Sequence, residues 1–74
     1  MLSFRHEGFL EVAKLKSFTK ASQSLYISQP AISKHIRQLE GDYKTSLFER
    51  KGNTITLTRA GEILWSALIQ AKSI

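Results

Sequence analysis

Apolar positions recur along this chain at helical spacing in successive stretches, broken once by a segment that alternates like strands. From about Phe4 to Leu15, Phe9, Val12 and Ala13 form a stripe with Leu10 beside it, while Arg5, Glu7, Glu11 and Lys14 fall largely outside. This predicts a first helix. Gly8 weakens it by about 1 kcal/mol relative to alanine, so packing must hold it together. Ser17 can cap a second, short helix in which Phe18, Ala21, Ser22 and Leu25 share one face and Thr19, Lys20, Gln23 and Ser24 the other. Only Tyr26 and Ile27 separate that helix from Ser28, which can cap a third.

The third helix organises the rest. At 100° per residue Ile32, Ile36, Leu39 and Tyr43 fall within an arc of roughly 60°, the stripe that an amphipathic helix buries. The opposite face carries Pro30, Lys34, Arg37 and Gly41, flanked by Ser33 and Gln38, with no acid and no large apolar side chain. Pro30 sits in the first turn, where its missing N–H is one of the orphan donors anyway. The remaining free N–H groups and the positive dipole end favour a nearby phosphate. An ordinary surface helix also has a polar outer side, so the neighbouring elements must decide between the two readings. The two-residue link forces a steep crossing, as in a helix-turn-helix, and a short small-faced helix followed by a capped basic one is the arrangement that sets a helix in the major groove.

Residues 47 to 50 and 54 to 57 then read as two short strands, joined through Lys51, Gly52 and Asn53 in a hairpin turn. Arg50 and Lys51 make its tip basic, so it can act as a wing that reaches a DNA backbone or a minor groove; a solvated hairpin closing the core is the plainer reading. Thr58 caps a final helix. There Ala60, Ile63, Leu64, Ala67, Leu68 and Ala71 form a broad apolar face, and Trp65 with Ile69 forms a second apolar patch. An exposed indole on an otherwise polar surface marks an interaction site. Trp65, Ile69, Leu68 and Lys72 are therefore the candidate dimerisation residues. The pattern runs to Ile74 without a C-cap glycine, so a fragment of a longer chain is expected.

Composition narrows the partners. At 74 residues the chain has room for one core, and eleven Lys+Arg against six Asp+Glu give a formal net charge of +5, which points to nucleic acid or an anionic surface. There is no cysteine, hence no disulfide framework or thiolate zinc site. No metal or cofactor is expected: His6 has no ligating residue three or four positions on. Neither a signal peptide nor an apolar run of roughly 18 residues is present, which predicts a cytoplasmic protein with no membrane partner. An enzyme is not expected, because Ser33 with Lys34 are neighbours that cannot face each other on a helix, His35 with Asp42 is no better supported, and so short a chain leaves no pocket to exclude water.

The run S-F-T-K-A-S…L…I-S-Q-P-A-I-S-K-H-I…L-E…L-F-E-R…I-T-L-T-R-A-G resembles the N-terminal DNA-binding domain of LysR-type transcriptional regulators over nearly the whole chain. The most specific parts are Ser17, Phe18 and Ala21, then Ser28 to Ser33, Leu39-Glu40, Leu47-Phe48 with Arg50, and Leu57-Thr58 with Ala60-Gly61. The resemblance implies a mainly α fold, a winged helix-turn-helix of three helices plus a short β-hairpin wing over residues 1–57. A linker, or dimerisation, helix begins at residues 58–74, and the C-terminal effector-binding domain is expected to lie outside this chain. It also implies double-stranded DNA as partner and a homodimer through the last helix, with a small-molecule effector only for the absent domain. Gln29, Pro30, Ser33, Lys34 and Arg37 would then face the major groove as base-reading candidates. Thr19 and Lys20 would lie near the backbone, with Arg50, Lys51 and Asn53 in the wing; His35 lies on the helix flank, outside the main set. Three positions depart from the family pattern: Ser22 stands for a second alanine, Lys44 for a common glycine, and His6 for a common leucine. At Lys44 a left-handed turn would cost about 1 kcal/mol. A winged-helix module that binds protein is the rival reading.

Overall fold

The computed structural model describes residues 3–72. In chain order the elements are α1 (Phe4–Leu15), α2 (Phe18–Leu25), α3 (Gln29–Tyr43), β1 (Phe48–Lys51), β2 (Thr54–Leu57) and α4 (Arg59–Lys72). Each helix begins where a hydroxyl can accept an orphan N–H. Ser3, Ser17 and Ser28 take the amides of His6, Lys20 and Ala31, and Thr58 Oγ1 takes that of Gly61 at 3.0 Å. The first three helices end on residues in the left-handed region, Lys16, Tyr26 and Lys44, with φ of 55°, 58° and 57°. The glycine-like turn after α3 thus survives with a lysine in it, at a conformational cost of roughly 1 kcal/mol.

The core is shared by α1, α2 and α3, closed by Leu47 and Leu68. Phe9, Val12, Ile32, Leu39 and Leu47 are its fully buried large side chains, each contributing about 1.5–3 kcal/mol by leaving water. Ala21 and Ser22 are buried where α2 approaches its neighbours, and the Ser22 hydroxyl is satisfied by donating to the Thr19 carbonyl at 2.7 Å. The serine in place of the usual alanine therefore leaves no orphaned polar group. His6, the third departure, lies at the core edge, with Nε2 2.9 Å from the Tyr43 hydroxyl.

The strands form an antiparallel pair, Phe48 opposite Leu57 and Lys51 opposite Thr54. Gly52 has φ +61° as the first of two turn residues, the position where a tight hairpin turn demands glycine. The first strand starts one residue later than its sequence pattern indicates, because Leu47 is drawn into the core. Its N–H is taken by Glu40 Oε2 at 2.8 Å and its carbonyl by the Thr58 N–H at 3.1 Å.

Two expected faces are corrected. Tyr43, assigned by periodicity to the buried stripe of α3, is 46% exposed, since the last residue of the helix runs past the edge of the core. On α4 the buried side is the row Gly61, Leu64, Trp65 and Leu68, with Lys72 in line and paired to Glu7 at 3.5 Å. Trp65 is half-buried against the core and Leu68 is buried in it, so neither offers the open patch expected of a dimerisation surface. Ile63, expected inside, is 59% exposed; Ile69 remains at the surface at 38%.

Candidate nucleic-acid interface

The helix-turn-helix corner is held by backbone bonds. The Tyr26 N–H reaches the Gln23 carbonyl and the Ile27 N–H reaches that of Ser22, so α2 ends and α3 begins within a few residues. This fixes the angle at which α3 leaves the core. Burial of Ile32, Ile36 and Leu39 then turns Gln29, Pro30, Lys34 and Arg37 into solvent, with Ser33 half-buried beside them. All five base-reading candidates lie on one accessible surface or at its margin. His35 does not join them: it is half-buried, its ring edge-on to Phe4 with centroids 5.4 Å apart.

Charge is distributed unevenly over the surface. Asp42 pairs with Arg5 at 3.1 Å, Glu11 takes the Ser24 hydroxyl and lies 3.9 Å from Lys14, Glu7 pairs with Lys72, and Glu62 lies 4.0 Å from Arg59. Glu40, one turn from Arg37, spends its carboxylate on the Leu47 N–H. Among the described residues no carboxylate forms an ion pair with Lys34, Arg37 or Lys51. Their charge is left for a ligand.

The hairpin stands beside this surface. Arg50 lies across from Ile55, on the strand face that meets the core, and its guanidinium sits over the Phe18 ring, 5.2 Å from the centroid. With Phe18, Ser33, Ile36, Arg37, Glu40 and Phe48 it lines an open cleft between α3 and β1. Lys51 and Asn53 are exposed at the tip. Thr19 and Lys20 are exposed on α2, and the Thr19 hydroxyl donates to Gln29 Oε1 at 3.3 Å, joining the two helices of the corner outside the core. Sequence pattern misses two supports: Phe18 beneath Arg50, and Glu40 beneath Leu47. The second was visible only as the pair Leu39-Glu40, an acid following a core residue on the helix that also carries Lys34 and Arg37.

A short helix, a tight turn, a capped helix with a cationic outward face and a two-stranded hairpin beside it define a winged helix-turn-helix domain. The family model described as "Bacterial regulatory helix-turn-helix protein, lysR family" matches residues 6–62. The chain belongs to that family. An uncharacterized HTH-type transcriptional regulator in the lacR 5' region of Staphylococcus xylosus is 50% identical over 60 residues, 81% of this chain and 22% of the relative. A LysR-family regulator from Eggerthella lenta has a similar structure, with TM-score 0.87 and 45% identity over 93% of this chain and 99% of that one. The BenM DNA-binding domain in complex with catB site 1 DNA gives TM-score 0.90 and 32% identity over 99% of this chain and 81% of that one. The chain spans between 16% and 22% of the length of the first curated relatives it matches.

Proposed function

We propose that this chain binds double-stranded DNA sequence-specifically as the DNA-binding domain of a bacterial transcriptional regulator, with α3 in the major groove and the β1–β2 wing at the minor groove. The observation that carries this reading is the outward face of α3, where Lys34 and Arg37 stand exposed with no ion-pair partner among the described residues, while Asp42 is paired with Arg5 and Glu40 accepts the Leu47 N–H. Phosphates supply the missing counter-charge, and Gln29 and Ser33 at the helix start supply hydrogen bonds for base edges. The BenM domain, similar over nearly the whole chain, is seen with DNA.

Pairing of two such chains through α4 belongs to the same reading, because a two-fold site is read by two recognition helices one or more DNA turns apart. The surface that supports it differs from the one read from sequence: Tyr43, Ala60, Ile63 and Ala67 line an apolar groove outside the core. An effector-binding domain belongs to this reading as a part beyond the present chain.

Selecting bound sequences from a random duplex pool tests the reading directly. A recurrent motif with two-fold symmetry is the expected result. Failure to enrich any sequence, together with binding that ignores salt between low and physiological ionic strength, would leave the protein-binding module as the better account.

A further inference from the structure

The Thr19–Gln29 contact is a bond between two exposed side chains, on different helices, at the corner that sets the pose of α3. It contributes little to holding the corner, because the backbone bonds of residues 26 and 27 and the buried Ala21 and Ser22 already do so. Its effect falls on the amide. Gln29 is the first residue of α3 and is exposed, so nothing in the core constrains which end of its side chain faces outward. A carbonyl oxygen accepts two hydrogen bonds. With one taken from Thr19, Oε1 still has a lone pair for a base, and Nε2 keeps its donors.

We propose that Thr19 is a positioning residue for base reading: its hydroxyl, donating to Gln29 Oε1 from the neighbouring helix, fixes the orientation of the amide and thereby the base preferred at one position of the bound duplex. The ligand group is the major-groove edge of a base that offers an acceptor and a donor side by side, which in B-DNA is adenine through N7 and N6. An amide turned end for end reverses donor and acceptor along that edge and mismatches it. The inference rests on the DNA-binding reading above, and it gives Thr19 a task other than touching the phosphate backbone. At 3.3 Å the bond is longer than the ~2.8 Å of a settled O–H···O bond, so the hydroxyl biases the amide rather than locking it. The effect is accordingly modest.

Thr19→Val keeps the shape of the side chain and removes the donor; Thr19→Ser restores it. Both sit on an exposed site, so folding is not at stake. Base preferences of the wild type, T19V, T19S, Q29A and the double variant T19V/Q29A are to be measured by selection from a random duplex pool and by titration of the best sequence against its single-base variants. The expected result is a loss of preference for adenine at one base pair, about two- to tenfold, in T19V. T19S restores the preference, and T19V makes no further difference to base preference once Gln29 is alanine. A uniform loss across all sequences makes Thr19 a backbone contact and overturns the proposal. So does a wild type with clear preferences that T19V leaves untouched. A wild type that enriches no sequence overturns the DNA-binding reading and this inference together.

Discussion

Glu40 Oε2 accepts the backbone N–H of Leu47 at 2.8 Å, and this bond fastens the last turns of the recognition helix to the start of the wing. The carboxylate satisfies an amide that has left the helix and not yet entered the ladder, while Glu40 also lines the cleft beside Arg37 and Arg50. Glu40→Ala leaves the part-buried N–H without a partner and should cost about 1–3 kcal/mol. Glu40→Gln keeps an acceptor and should cost less. Urea denaturation of the three proteins checks the order.

Gly61 is the opposite case, a residue that matters for what it lacks. A Cβ there would lie 2.2 Å from the Leu47 carbonyl oxygen and 3.0 Å from Leu57 Cδ2. Gly61→Ala should destabilise the fold by about 1–3 kcal/mol through forced backbone movement, although alanine is the better helix former by about 1 kcal/mol. A rise in the denaturation midpoint would show that α4 can shift away at no cost.

Salt titration reads the cationic face. Lys34→Gln, or Arg37→Gln, should flatten the dependence of log K on log salt by about 0.9 for each phosphate that is no longer neutralised. An unchanged slope would remove that residue from the phosphate-binding set.

Gln29→Ala separates base reading from anchoring. Discrimination at one base pair should fall by about 1–3 kcal/mol while nonspecific binding stays as it was. Equal loss on all sequences would make Gln29 a backbone contact.

The two sides of α4 can be told apart by mutation. Trp65→Ala should lower stability by about 2 kcal/mol, somewhat less than a fully buried aromatic, since its ring is half-buried on the core. Ile63→Ser, at a residue 59% exposed, should leave stability within about 0.5 kcal/mol and weaken self-association. Sedimentation at matched concentrations, alongside thermal melts, distinguishes these outcomes.

Helix starts were legible in the sequence because capping is local: Ser17, Ser28 and Thr58 each take an N–H three residues on, and that spacing is written in the chain. The outward face of α3 was legible for a similar reason, since Ile32, Ile36 and Leu39 leave only one way to turn. The pose of α4 was not. With Ile63, Leu64, Trp65, Ala67, Leu68 and Ile69 apolar, periodicity offers several faces of similar merit, and the choice is made by long-range sterics. Only the side of the helix bearing Gly61 can come against the Leu47 carbonyl, so Trp65 and Leu68 follow it inward and Ile63 is turned out. The tether between Thr19 and Gln29 was hidden too, because they lie ten positions apart in the chain and only the corner brings them together.

Lys16, Tyr26 and Lys44, the left-handed residues that end the first three helices, leave the domain with unused thermal headroom. Each non-glycine residue in that region forgoes roughly 1 kcal/mol that glycine would recover, offset in part by glycine's greater freedom in the unfolded chain. Tyr26 is 94% exposed, so little packing is lost when it is replaced. A chain carrying Tyr26→Gly and Lys16→Gly should melt several degrees higher with its basic face intact. A designer seeking a hardier DNA reader would begin at those corners and leave Lys44, whose charge lies at the end of the recognition helix, as it is.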